Sequence, residues 1–481
     1  MIKTSQPVYR VTLIKTIRRR NNQSERYSGL GKSLDLTPIL DEYSSVITRK
    51  NIDQPLGSFT ITLPDKAIQP EQGAFQDSLY GWIEPMDVIE IRMGRDLYLK
   101  DLSTNDIPIV MRGFVSGIHR SAVMTGDGKP IRTVVIDGHD YGKLLNIIQI
   151  FYQNAYGIGL DLLTAFKMTT NQDIRFAEFT TAGFIQEVLA KVVNPHLQKL
   201  QSDSSLDFTP RILPDTTGVK DGIVMPYSFQ NYEGTLWNLM RLFSDRFWNE
   251  LFIDDREDGV YLVCRQMPFK DIDGRYIDDA VDPGHVDVAY KHIKNLSVGR
   301  SDANLANYYW VGAPRSLLIN QSLMQMEAYR VSDDFYIKDY PNCDVDLYGI
   351  RKMQVETQQG PAVPGLDETG YEDAKKQQDT WTNQRVQRLI KFNRDNVLFE
   401  NGLATLHGDE AIRAGRYLRF RIGTQKAGYT AEYYCIGVIQ ELLPLRSWVS
   451  RVELIRGTGY IERSKMVGSP YLAERGAGAY G

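Results

Sequence analysis

The densest set of groups able to do acid–base chemistry is Asp254, Asp255, Glu257 and Asp258, with Gly259 after them. Paired carboxylates are what a glycosidase needs, one to protonate the leaving oxygen and one to act as base or nucleophile. In a chain with 60 acidic residues such neighbours arise without purpose. Here they read as the solvated turn of a hairpin whose arms are 251–253 and 260–263, and the D-x-[DN]-x-[DN]-G pattern of a calcium loop is not met. Gly31-Lys32-Ser33 ends like a phosphate-binding loop, but the position that needs glycine five residues earlier is Arg26. His119 and His139 lie in or beside a predicted hairpin. His139 and Asp140 are adjacent, so on a strand they point to opposite faces and do not form an orienting pair. No G-x-S-x-G supplies a nucleophilic serine.

Tyr308-Tyr309-Trp310 could stack on bases or sugars, but the positive charge that single-stranded nucleic acid requires is thin around it, and a buried strand or subunit contact is the better reading. Cys264, Cys343 and Cys435 are far apart and odd in number, which argues against a disulfide framework or a zinc site. The residues thus predict no catalytic, cofactor-binding, metal or nucleic-acid site, no cofactor, and no enzyme.

These groups sit in a chain of 481 residues, 42 % hydrophobic and 24 % charged, long enough for several domains. Its 27 tyrosines and 39 glycines favour strands and turns over helical bundles. Lys and Arg total 56 against the 60 acids, and a net charge of -4 leaves no footprint for general nucleic-acid binding. One basic cluster, Lys15 with Arg18, Arg19 and Arg20, reads as a solvated loop, with an anionic partner surface as the sharper alternative. The start carries no secretory apolar run, and no stretch reaches the roughly 18 apolar residues of a membrane span. Folding in a reducing cytoplasm is expected.

The first 140 residues alternate with period two. Tyr9, Val11 and Leu13 do so, then Phe59, Ile61 and Leu63 until Pro64, then Ile89, Ile91 and Met93. A long hairpin with arms 109–122 and 131–137 follows, its turn at 125–129. Helical spacing then appears over 141–151 (Leu144, Leu145, Ile147, Ile148, Phe151). It recurs at Phe184, Ile185, Val188, Leu189 and Val192, ending before Pro195, and at Leu236, Leu239, Met240 and Phe243, with Phe247 after. Residues 201–226 are polar and read as a loop. Strands return from about Val286, including 307–311 and 351–357. A break at 358–372 precedes a helix over 371–394 that has only Ala374, Trp381, Val386, Leu389 and Ile390 to bury. It should cover a sheet or a neighbouring subunit. The end is strand again: 417–422, a run through Tyr433, Cys435 and Ile439, and Val452 with Leu454.

The expected class is therefore α+β and β-dominated, with two antiparallel β-barrel modules flanking and interleaved with a mixed α+β middle. The boundaries are 1–142 for the first barrel, 143–285 for the middle with a loop insertion near 201–226, 286–463 for the second barrel with an insertion at 358–394, and a flexible tail at 464–481.

Six ordered segments carry a resemblance. They are Phe59-Thr60-Ile61-Thr62-Leu63 with Trp82-Ile83-Glu84-Pro85-Met86-Asp87; Arg112-Gly113-Phe114-Val115 with Asp137-Gly138-His139-Asp140-Tyr141-Gly142; and Thr235-Leu236-Trp237-Asn238-Leu239 with Arg265-Gln266-Met267-Pro268. The others are Ser301-Asp302-Ala303-Asn304-Leu305-Ala306-Asn307, Tyr348-Gly349-Ile350-Arg351, and Leu406-His407-Gly408 with Arg413-Ala414-Gly415. Together they resemble the contractile-tail baseplate hub family, which includes late control protein D of temperate phages and the N-terminal part of VgrG. The resemblance implies a homotrimer in which each chain gives two similar barrels to a pseudo-sixfold ring. Such a ring adapts a sixfold tail tube to a threefold central spike and leaves a lumen for tape-measure protein and genome. Implied partners are the tube and tube-initiator proteins, the spike, the tape-measure protein and baseplate wedge proteins, within the virion after assembly in the host cytoplasm. No sequence-specific nucleic-acid contact and no stable membrane anchor is implied. The chain stops without a β-helical spike or a fused lysozyme, so those would belong to other proteins. Rival readings are a tail-associated peptidoglycan hydrolase and a receptor- or glycan-binding tail component.

Overall fold

The computed structural model describes residues 7–16, 33–68, 77–95, 107–124, 128, 130–150, 180–200, 211–220, 222–224, 234–312, 340–360, 368–422 and 428–465. The fold is β-dominated. In chain order the N-terminal strands are β1 (Val8–Ile14), β2 (Ser33–Asp35), β3 (Ser45–Asn51), β4 (Ser58–Pro64), β5 (Val88–Gly94), β6 (Ile109–Met124) and β7 (Pro130–Asp140). The period-two readings hold: Phe59, Ile61 and Leu63 are buried on β4, and Ile89, Ile91 and Met93 on β5. Phe59 lies across two glycines. A Cβ at Gly138 would stand 2.1 Å from its Cζ, and one at Gly113 2.9 Å from its Cε1. The ring thus occupies the space that side chains would fill on β6 and β7. The predicted turn at 125–129 lies outside the described residues except for Gly128.

The middle is built from α1 (Gly142–Ile147), α2 (Thr181–Val188), a π-helical turn (Leu189–Val193), α3 (Asn194–Leu200), β8 (Ile212–Asp215), α4 (Leu236–Phe243), β9 (Asn249–Arg256) and β10 (Gly259–Gln266). Their buried residues, among them Leu144, Phe184, Leu236, Phe243, Ile253 and Leu262, form one core. Four expectations are corrected here. The helix expected over 141–151 stops at Ile147, which is exposed, and Gln149–Ile150 pairs as a strand with Gly234–Thr235. The helix expected to end before Pro195 continues through it. The Asn194 N–H bonds to Leu189 O, five residues back, and this widened turn removes the conflict between a proline ring and a regular helical turn. The loop at 201–226 contains β8, which pairs in parallel with β10. The hairpin of β9 and β10 is longer than its apolar arms, with Arg256 opposite Gly259, so Asp254 and Asp255 lie on a strand and not in a turn.

The C-terminal strands are β11 (His285–Val288), β12 (Ile293–Gly299), β13 (Tyr308–Gly312), β14 (Lys352–Glu356), β15 (Glu400–His407), β16 (Arg416–Ile422), β17 (Tyr429–Leu443) and β18 (Ser447–Gly457). The helices here are α5 (Val345–Tyr348), α6 (Glu368–Asn393) and α7 (Gly459–Lys465). Helix α6 buries Val386, Leu389 and Ile390 in a core with Tyr309, Val311 and Val355, and so covers the β13–β14 pair. Ser464, expected to open a flexible tail, is buried in α7, and 466–481 lie outside the described residues.

The two β-rich ends share one thirteen-stranded sheet, with the path β12-β15-β18-β17-β3-β4-β7-β6-β5-β1-β2 and with β16, then β11, branching from β17. Strand β17 makes the connection. Its first half pairs with β16, as Tyr429 to Cys435 face Ile422 to Arg416, and its second half pairs with β3, from Gly437 opposite Asn51 to Leu442 opposite Val46. This explains why every residue from Tyr433 to Val438 is buried. Leu442 and Trp448 from the C-terminal hairpin complete the N-terminal core around Phe59 and Ile61, while Leu418, Phe420, Tyr433 and Leu454 belong to a separate core. Among the described residues no helix is long and apolar enough to cross a membrane.

Candidate functional site

The place where chemistry-bearing side chains converge is the junction of β3, β7, β9 and the loop before β16. Lys50 stands near the end of β3. Its Nζ donates to Asp255 Oδ2 at 2.5 Å and to Ile253 O at 3.2 Å, and lies 3.8 Å from Asp140 Oδ2. Both carboxylates are buried, and Asp140 Oδ1 accepts the Gly142 N–H at 3.0 Å. Burial pushes the Asp140 carboxyl up to about 6. Lys50 opposes that shift and the charge of Asp255 adds to it. Burial also works against the Lys50 ammonium, yet Asp255 and Asp140 together hold its pKa above the usual lysine value. Asp255 Oδ1 is buried with no hydrogen-bond partner. The group lines a cleft of about 660 Å³, counting its open mouth, together with Asp254, Glu410, Arg413 and Gln440.

Further ion pairs tie the same elements. Arg413 Nη2 donates to Ile109 O at 2.7 Å, its Nη1 donates to Asp255 O, and it lies 3.6 Å from Asp254 Oδ1. One guanidinium therefore spans the C-terminal half, the middle hairpin and the N-terminal half. Arg112 bonds Glu90 Oε2 at 3.0 Å and Arg256 O at 2.7 Å. Glu257 accepts from Ile109 N at 2.7 Å and Arg92 Nη1 at 3.0 Å. Although burial raises it, the pKa of Glu90 ends below the usual carboxylate value because Arg92 and Arg112 hold the charge. On the far side, Glu250 takes Arg265 Nε at 2.5 Å and the Tyr434 hydroxyl, and Arg265 Nη2 reaches Gly415 O. Chemically this is a set of charged cross-links between segments distant in sequence.

No protein-family profile matches the sequence. No curated protein matches it either. Solved structures do. The chain is similar to the 43 kDa tail protein of prophage MuSo2 from Shewanella oneidensis at 11 % identity and a TM-score of 0.43, covering 95 % of this chain and 98 % of that one. It is similar to a tail protein from Neisseria meningitidis at 10 % identity and a TM-score of 0.47, covering 93 % and 96 %. It is also similar to a type VI secretion system component from E. coli, at 8 % identity and a TM-score of 0.35, covering 87 % and 74 %.

The residues weighed from sequence fall as follows. Of the four acids, Asp255 is buried and ion-paired, which overturns the solvated-turn reading, while Asp258 is exposed and accepts from the Tyr261 hydroxyl at 2.6 Å. Lys15 is not in a solvated loop. It reaches Asp87 at 2.6 Å, Glu84 at 3.3 Å and Trp82 O at 2.7 Å, while Arg18, Arg19 and Arg20 lie outside the described residues. Gly31 and Lys32 also lie outside, and Ser33 opens β2. His119 is exposed, 3.8 Å from Asp137. Asp140 is buried and His139 half-buried, in keeping with opposite faces of β7. Tyr309 is buried on β13, and Cys264 and Cys435 are buried as well.

Sequence reasoning missed Lys50, Asp140, Arg413 and Arg112 as a group. A further set joins two of the motif segments. Arg351 Nη2 lies 2.7 Å from Asp302 Oδ2 and its Nη1 donates to Asp302 O at 2.9 Å. Buried Asn307 accepts from Arg351 N at 2.9 Å and donates to Gly349 O at 2.8 Å. Segments 301–307 and 348–351 are thus two halves of one clasp.

Proposed function

We propose that this chain is a structural component of a contractile tail, the baseplate hub, and that three copies close a ring between tail tube and spike. The observation that carries the reading is the β3–β17 pairing. It sets two β-rich halves side by side in one sheet, as a chain giving two modules to a ring of six requires. The modules are residues 1–142 and 286–463, with 143–285 bracing them through the charged junction. Support also comes from the ordered motif segments, two of which meet in the Asp302–Arg351–Asn307 clasp. The ring leaves a lumen for tape-measure protein and genome, and its partners are tube, spike and wedge proteins of the virion.

The reading is structural, not enzymatic. The Asp140 and Asp255 carboxylates resemble an acid–base pair in the raised pKa of Asp140, but a single ammonium is shared by them. Mass photometry and negative-stain imaging of the purified chain test the proposal. A ring of three is expected, and a hexamer or an open filament counts against the adaptor role. Clearing of a cell-wall suspension that is abolished by Asp140→Asn would instead establish the hydrolase.

A further inference from the structure

The clasp of Asp302, Asn307 and Arg351 holds a short turn that displays apolar side chains. Leu347 is 68 % exposed and Ile350 69 % exposed, one on α5 and the other just beyond Gly349, whose φ of 71° turns the chain outward. The two are neighbours on a turn fixed by four hydrogen bonds that Arg351 and Asn307 make, so they form one held apolar patch and not a scattered pair. Exposed acids flank them: Asp344, which caps α5 through Leu347 N at 2.9 Å, and Asp346. Arg351, the nearest cation in sequence, is committed to Asp302.

A surface of opposite character lies on the same chain. The outer side of the β12–β15 pair carries Leu403, 63 % exposed opposite Ser297, and Tyr290, 63 % exposed, precedes β12. Lys291 and Lys294 are exposed there and have no ion-pair partner among the described residues. His292 and His407 stack edge to face, 6.1 Å between centroids, in the same place. Burial first, then the positive fields of Lys294 and His292, hold the His407 imidazole below its usual pKa. Both surfaces are exposed within one chain, so neither covers the other.

We infer that the Leu347–Ile350 turn is a docking knob whose occupant is a second copy of this chain, seated on the basic, apolar face formed by Tyr290, Lys291 and Lys294 at the start of β12. The two patches are different, so the contact is heterologous and runs head to tail. Contacts of that kind close into rings when the rotation between copies closes, and otherwise run on as filaments. Acid against base sets the orientation, and the apolar pair supplies the anchor. This inference rests on the self-assembly proposed above and assigns it a surface.

The test uses the full-length chain by mass photometry over a dilution series. The double variant Leu347→Asp, Ile350→Asp should raise the concentration of half-assembly at least about tenfold with an unchanged thermal melt, because both residues are exposed. Asp346→Lys should weaken assembly several-fold, and adding Lys294→Glu should restore it. Assembly of the wild type with no change in any of these variants overturns the knob and leaves the ring reading standing. A wild type that stays monomeric throughout overturns both. Rescue of Asp346→Lys by Lys294→Glu, with Lys294→Glu alone weakened, distinguishes a knob-in-seat contact between copies from an unrelated partner surface.

Discussion

The ammonium of Lys50 is held 2.5 Å from Asp255 and 3.8 Å from Asp140, joining residues on β3, β7 and β9 that lie up to 205 positions apart. A lysine shared by two buried carboxylates is a joint that cannot lose its cation cheaply.

Lys50→Met should therefore destabilise the protein by about 3–5 kcal/mol, the usual cost of leaving a buried charge unpaired. Lys50→Met with Asp255→Leu should recover part of the loss, because the nearer carboxylate goes with the ammonium and only Asp140 is left without its cation. Urea unfolding of the two variants and the wild type checks this. A Lys50→Met loss below about 1 kcal/mol would mean that water solvates the pair through the cleft.

Asp140 sets a pH dependence of definite sign. Its folded-state pKa of about 6 is above the ordinary carboxylate value of 3.8, so between those limits the folded chain holds a proton that the unfolded chain has released. Stability from this group therefore falls as pH rises from about 4 to 6, and its full cost is present above that. Asp140→Asn should flatten the stability curve between pH 4 and 6 relative to wild type. It should also stabilise the protein at pH 7, by something on the order of 2 kcal/mol. Unfolding midpoints at pH 4.5, 5.5 and 7 give the answer, and parallel curves would refute a protonated Asp140.

Much of the sheet was legible because its cause is local. Phe59, Ile61 and Leu63 alternate, and a strand with one buried face must show that period. The joint was not legible, because Lys50 and Asp255 are ordinary surface types whose burial is decided by a strand 205 residues away. The acids at 254–258 misled for a related reason. Apolar patterning ends at Ile253 on one arm and resumes only at Val260 on the other, but hairpin pairing runs on to Arg256 and Gly259. Pro195 misled through a rule about regular helices that a π-helical turn evades. Strand β17 hid its double role, since Tyr433 to Val438 are apolar on both faces and lack the alternation that marks a strand facing solvent.

Gly138 is required by an aromatic ring and not by a turn. A methyl there would stand 2.1 Å from Phe59 Cζ and 2.5 Å from Phe114 O, and neither a packed ring nor a paired backbone can retreat far. Gly138→Ala should cost about 1–3 kcal/mol through overpacking. Phe59→Leu in the same chain should make the alanine cheaper, which a double-mutant cycle by thermal or urea unfolding measures. Additive losses would show that the backbone contact to Phe114 dominates.

Arg413 tests whether the charge or the fork matters at the junction. Its two terminal nitrogens serve Ile109 O and Asp255 O at once, a task a lysine ammonium on a single stem does not reproduce. Arg413→Lys keeps the charge, yet should lose about 1–3 kcal/mol as one buried carbonyl goes unpaired. Limited proteolysis should also reach the loop before β16 sooner than in wild type. Full retention of stability in Arg413→Lys would show that attraction to Asp254, 3.6 Å away, is the main contribution.

Asn307 separates the stiffness of the clasp from its chemistry. The side chain is fully buried and satisfies two backbone groups, accepting from Arg351 N at 2.9 Å and donating to Gly349 O at 2.8 Å. Asn307→Ala strands both and should cost about 2 kcal/mol or more. Asn307→Asp keeps the acceptor for Arg351 N but presents an oxygen to the Gly349 carbonyl, so that side of the turn is repelled. Both variants should free the Gly349–Ile350 turn while Arg351 remains bound to Asp302, which hydrogen exchange at the Gly349 N–H, bonded to Val345 O at 2.8 Å, reports directly. If a fixed turn is what lets Leu347 and Ile350 anchor a neighbouring copy, assembly should weaken in both variants though neither exposed residue has changed. Unaltered assembly beside faster exchange would separate the clasp from the contact and leave it a purely internal brace.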